Sequence, residues 1–167
     1  ALLILIIASL PVSAGEELLT VAEKSGFTDT SRYGDVISFV EELQKISGNI
    51  RVETLCRSVE GRDIPLLILG DPCPYSPGDR GDDRTVIYFQ ANIHPGEVEG
   101  KEAVQMLARD ILEGRHAGLL EHLVILITPI FNVDGNEKVS REHRSNQSGP
   151  DMGVGVRHNG QRLDLNR

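Results

Sequence analysis

His94 and Glu97 stand three residues apart across Pro95-Gly96, directly after the β-branched and aromatic run Thr85-Val-Ile-Tyr-Phe-Gln-Ala. An imidazole nitrogen and a carboxylate oxygen on one tight turn can be offered to a single metal ion, and zinc accepts such N and O donors. Each residue also has an ordinary explanation. A loop histidine can simply be hydrogen-bonded, and a first-turn carboxylate interacts favourably with a helix N-terminus. Catalytic zinc usually takes three protein ligands, so this turn reads as an incomplete metal site. Its place past the end of a strand is where open α/β sheets keep their ligand sites.

The elements that must position this turn follow from periodicity. Thr85 to Ala91 reads as a strand. Glu97 to Glu113 reads as a helix, with Val104, Leu107, Ala108 and Ile111 on one face and charges opposite. Leu123 to Phe131 is a near-continuous apolar run, the pattern of a strand covered on both faces. Strand, helix, strand implies a parallel pair joined by a right-handed crossover. The carboxyl ends of both strands then open on one rim. The polar segment from Asn132 onward hangs over the His94/Glu97 turn, and its arginines face a metal or an anionic substrate.

Upstream, Asp35 to Ser47 carries a helical stripe of Val36, Ile37, Val40, Leu43 and Ile46. Ile50 to Ser58 and Ile64 to Leu69 read as strands joined by the hairpin turn Glu60-Gly61-Arg62-Asp63. Asp71 to Asp83 is a Pro-, Gly- and Asp-rich loop. Asn132 to Gln161 shows little hydrophobic periodicity and reads as a long functional loop. The expected fold class is α/β: part of a mixed sheet with a largely parallel core, flanked by helices.

Composition bounds the partners. The chain has 167 residues and a formal net charge of −8, with no basic stripe, which argues against nucleic acid. Ala1 to Leu10 is apolar apart from Ser9, and Val12-Ser13-Ala14 offers small residues for a signal-peptidase cut after Ala14. Residues 1–14 are therefore expected to be part of a signal peptide, and the protein to be exported to a periplasm or the extracellular space. That run is too short to span a bilayer. Cys56 and Cys73 are the only cysteines, and their pairing stays open.

Three segments carry a family resemblance: His94-Pro95-Gly96-Glu97, Asn132-Val133-Asp134-Gly135 and Asp164-Leu165-Asn166-Arg167. Their order and strand placement resemble the M14 family of zinc carboxypeptidases, over the chain from about Thr85 to its last residue. The resemblance implies one zinc ion, with His94 and Glu97 as two of its ligands. It implies that Asn166 and Arg167 hold the C-terminal carboxylate of a peptide or protein substrate, a task that suits a guanidinium fork. It also implies an oxyanion-stabilising arginine after the Asp-Gly step. Arg144 is the first choice, then Arg141, then Arg157.

Val133 stands where the family usually has Pro, and Arg162 where relatives often have Gly. The family's third ligand, a histidine, and its general-base glutamate lie beyond the Asn-Arg motif. The resemblance thus implies that residues 15–167 form about half of a catalytic domain, a fragment truncated after that motif and inactive alone. A monomer with no membrane span is expected. Two alternatives stay open: a related zinc deacylase, amidohydrolase or murein peptidase on the same scaffold, and a non-catalytic exported binding module.

Overall fold

A computed structural model of the chain describes residues 17–74, 82–116 and 118–167. The expected leader and residues 75–81 of the expected Asp71 to Asp83 loop lie outside the described residues. The elements in order are α1 (Val21–Lys24), α2 (Tyr33–Ile46), β1 (Ile50–Arg57), β2 (Asp63–Leu69), β3 (Thr85–Gln90), α3 (Val98–Leu112), α4 (Leu119–His122), β4 (Leu123–Thr128) and α5 (Val133–Glu137).

The four strands form one sheet in the order β1-β2-β4-β3. β1 and β2 are the expected antiparallel hairpin, β2 and β4 are also antiparallel, and β3 and β4 are parallel. Register places Leu67 opposite Ile127 and Leu69 opposite Ile125, so these four side chains share a face of the sheet. They join Val36, Phe39, Val40 and Leu43 of α2, and Ala108 and Ile111 of α3, in one buried core. The i, i+3, i+4, i+7 spacing on α2 is what supplies that stripe.

Two expectations change. The charged side of α3 does not face solvent: Lys101, Glu102, Gln105 and Arg109 are all buried. Each charge there has partners, which is what makes burial tolerable. Glu102 accepts from Thr30 Oγ1 (2.8 Å), Ser31 N–H (2.7 Å) and Ser31 Oγ (2.9 Å). Lys101 Nζ donates to the Ser31 carbonyl and to Asn136 Oδ1 (2.9 Å). Arg109 donates to Glu23 Oε2 (2.7 Å) and the Leu18 carbonyl (2.9 Å). The segment before α2 is thereby fastened along α3.

The second change concerns the long polar segment. It begins with a helix, α5, because Asn132 Oδ1 accepts from Gly135 N–H (3.0 Å) as an N-cap. Ser140 and Val154 then pair in an antiparallel bridge, closing the intervening residues into a compact loop. Five residues of helix are too few to leave a readable periodicity. Both cysteines are free thiols, Cys56 exposed and Cys73 half-buried.

Candidate active site

The rim is continuous past the strand ends. Ala91 N–H donates to Thr128 O (2.9 Å), Phe131 N–H to Ala91 O (3.0 Å) and Asn132 N–H to Asn92 O (3.1 Å). The chains leaving β3 and β4 therefore stay side by side until the His94 turn begins. Glu97 N–H donates to His94 O (2.8 Å), closing the turn. Glu97 is the N-cap residue of α3, yet its carboxylate makes no capping bond. That carboxylate is turned toward His94 and Arg144 instead.

His94 is buried, and its two ring nitrogens face different carboxylates. Nε2 lies 2.9 Å from Asp164 Oδ1, and Nδ1 lies 3.3 Å from Glu97 Oε1. The contact with Asp164 is the shorter of the two, and a proton on Nε2 donated there leaves the Nδ1 lone pair on the Glu97 side. The His94 hydrogen bond first, then Arg157 and the Asn166 N–H, hold Asp164 well below the usual carboxylate range. For Glu97, burial pushes the pKa up, but the contacts with Arg144 and His94 outweigh it and the net direction is down. Both carboxylates are therefore anionic at neutral pH.

The spacing can be tested against a metal. Two donors each about 2.0–2.1 Å from one zinc ion, at a tetrahedral angle, lie roughly 3.3 Å apart. The His94 Nδ1 to Glu97 Oε1 separation is 3.3 Å. The donor pair fits the ion. Among the described residues, no group of three or more His, Cys, Asp or Glu is arranged to hold a metal, so the pair fits as two ligands and not as a complete site.

The arginines separate clearly. Arg144 donates from Nη2 to Glu97 Oε1 at 2.5 Å, with its side chain about a quarter exposed. It reaches there by lying flat across Gly96, where an added Cβ would meet Arg144 Nε at 2.5 Å and Cδ at 2.6 Å. Arg157 donates from Nε to Asp164 Oδ2 (2.8 Å) and is thus committed to the carboxylate behind His94. Arg141 lines a polar cavity of about 310 Å³, whose wall also includes Gly96, Glu99, Arg144 and Gln147. Arg144 is the arginine shared between that cavity and the His94/Glu97 turn.

Asn166 and Arg167 come to the rim through Asp164, which accepts the Asn166 N–H (3.0 Å) and lies 3.4 Å from Arg167 Nε. His143 turns its Nδ1 to the Val154 carbonyl (3.0 Å) and so belongs to the loop. Asp164 is the residue that sequence reasoning missed. It stood inside the quoted Asp-Leu-Asn-Arg segment, but its partner is 70 positions away, and only the fold brings the two together.

The middle motif has a different job. Asn132 Nδ2 donates to the carbonyls of Ile93 (3.3 Å) and Arg157 (3.2 Å), tying the His94 turn to the returning loop. Asp134 is buried and accepts from Ser58 Oγ (2.7 Å), Glu60 N–H (3.1 Å) and Arg62 Nη1 (2.8 Å), which pins the β1–β2 hairpin turn.

Comparisons with known proteins agree with this fold. The family model "Zinc carboxypeptidase" matches residues 36–167. Cytosolic carboxypeptidase 6 of Mus musculus is 34% identical over 86 residues, which is 50% of this chain and 15% of that protein. A metallo-carboxypeptidase from Burkholderia cenocepacia superposes with a TM-score of 0.60 at 24% identity, over 82% of this chain and 32% of that one. A metallo-carboxypeptidase from Pseudomonas aeruginosa, solved with (2-guanidinoethylmercapto)succinic acid, gives 0.56 at 24% identity, over 82% and 31%. The chain thus spans about a third of the length of these solved structures, and their likeness establishes its fold.

Proposed function

The chain belongs to the zinc carboxypeptidase family, and from that premise we propose that it carries the carboxylate clamp and two zinc ligands of a metallocarboxypeptidase. The observation that carries the reading is His94 and Glu97 converging at 3.3 Å on the rim, with Asp164 on the opposite ring nitrogen. A bound zinc ion would supply Lewis acidity toward the scissile carbonyl and an acidified water.

The chain's own residues do the rest of the positioning. His94 and Glu97 hold the ion. Asp164 keeps the proton on His94 Nε2, which fixes the ring orientation and turns Nδ1 toward Glu97. Asn166 and Arg167 hold the free carboxylate of a peptide C-terminus, and Arg144 faces the oxygen on which charge develops. With two ligands and no general base assigned among the described residues, this chain alone is expected to bind but not to turn over. The apolar leader supports export. No described helix is long and apolar enough to cross a membrane.

The test pairs binding with hydrolysis. A short peptide with a free C-terminus should bind the zinc-equilibrated protein, and its C-terminal amide should not. Binding of both forms alike would remove the carboxypeptidase reading. Release of the terminal amino acid that disappears in His94→Ala would show that two ligands suffice for turnover.

A further inference from the structure

We propose that the cavity beside the His94/Glu97 turn is a subsite for substrate residues upstream of the scissile bond, where Arg141 favours acidic side chains. The proposal rests on the reading of Asn166 and Arg167 as the carboxylate clamp. Contacts along the rim give the site a direction. Asp164 lies 3.4 Å from Arg167 Nε and 2.9 Å from His94 Nε2. The other nitrogen of that ring lies 3.3 Å from Glu97 Oε1, which in turn accepts from Arg144 Nη2 at 2.5 Å. Arg144 forms part of the cavity wall, to which neither Asp164 nor Arg167 belongs. Clamp and cavity are therefore the two ends of one line of contacts, with the His94/Glu97 pair between them. A peptide with its terminal carboxylate at the clamp and its last peptide bond at the pair leads its preceding residues toward the cavity.

The cavity has room and chemistry for a polar side chain. Its volume is about 310 Å³, and Arg141, Ser145, Gln147 and Ser148 line it with hydrogen-bond donors. Arg144 is engaged by Glu97. Arg141 is exposed, and among the described residues its guanidinium has no ion-pair or hydrogen-bond partner, so it is the charge open to a ligand. The first turn of α3 adds to it. Its N-cap residue makes no side-chain capping bond, and Val98 and Glu99 border the cavity, so the partly positive helix end lies on the same wall. Glu99 and Asp151 border the cavity too and oppose an acid, which keeps the preference modest. The chain's net charge of −8 repels an acidic peptide at long range, so a preference for one reports the cavity and not the surface as a whole.

The experiment measures binding of short peptides to the zinc-equilibrated protein. One peptide carries two glutamates before a C-terminal alanine and the other two glutamines, each made as the free acid and as the C-terminal amide. The glutamate free acid should bind about three- to fivefold more tightly than the glutamine free acid, the scale of one exposed ion pair. In Arg141→Gln the two free acids should bind alike, and Arg141→Lys, which keeps the charge, should keep their order. Equal affinities in wild type, or a glutamate preference undiminished in Arg141→Gln, would overturn the subsite while leaving the clamp standing. The clamp is judged by the other comparison: free acids and amides that bind alike would sink it, and the subsite with it.

Discussion

Two polar clusters share the rim of this sheet, and they use their hydrogen-bonding capacity in opposite ways. Asn132, Asp134 and Asn136 are buried, and their side chains bond to other parts of the fold. In the His94, Glu97, Asp164 and Arg167 cluster, His94 and Asp164 are likewise partnered, but Glu97 and Arg167 are left open. The Glu97 carboxylate side chain is 49% exposed and that of Arg167 75%. The first cluster is turned into the fold, and the second keeps two charged groups facing solvent. Polar residues of similar type, a few positions from one another on the same rim, are therefore scaffold in one case and chemistry in the other.

The sharpest way to break that comparison is at Asp134. Its carboxylate accepts three bonds from the β1–β2 turn, one of them from Arg62. Asp134→Ala removes both acceptor oxygens, and with them all three bonds, at a buried position and should cost about 3 kcal/mol in urea unfolding. Asp134→Asn keeps part of the set and should cost less. A loss under about 1 kcal/mol for the alanine variant would place Asp134 among the chemical groups.

A second, somewhat smaller effect belongs to Lys101, whose Nζ bonds Asn136 of the buried cluster. Burial pushes its pKa down to about 8, against the pull of Glu102 and Glu137, with Arg32 lowering and Asp35 raising it further out. Between about pH 8 and the ordinary lysine value of 10.5, the unfolded chain therefore holds a proton that the folded chain has released. Stability contributed by this group rises with pH through that window and is at its minimum below it. Compared with Lys101→Met at each pH, wild type should gain on the order of 2 kcal/mol between pH 7.5 and 10. A flat difference would mean that the ammonium is as well solvated inside as in water.

The hairpin, the α2 stripe, the β3-α3-β4 unit and the shared rim were all legible in the sequence, because each rests on a local period of two or 3.6 residues. The buried polar face of α3 was not. Lys101 and Glu102 read as solvent-facing charges, since nothing local reveals that Thr30, Ser31 and Asn136 come to meet them. At the site, the His94/Glu97 pair was legible from a spacing of three. Asp164 behind His94 and the seating of Arg144 over Gly96 were not, because both are contacts between segments tens of residues apart.

The smallest expected effect on stability sharpens the comparison from the open side. Among the described residues, Asn166 bonds through its backbone N–H to Asp164 Oδ1, which an alanine preserves. Among the described residues no partner for its side-chain amide is seen, and Asn166→Ala should stay within about 0.5 kcal/mol of wild type in urea unfolding. The same substitution removes a donor that the free carboxylate of a peptide C-terminus would use, so binding of the free-acid peptide should weaken while the amidated peptide still fails to bind. A variant that unfolds easily would return Asn166 to the scaffold. One that is fully stable and binds the free acid as well as wild type would leave Arg167 as the sole clamp.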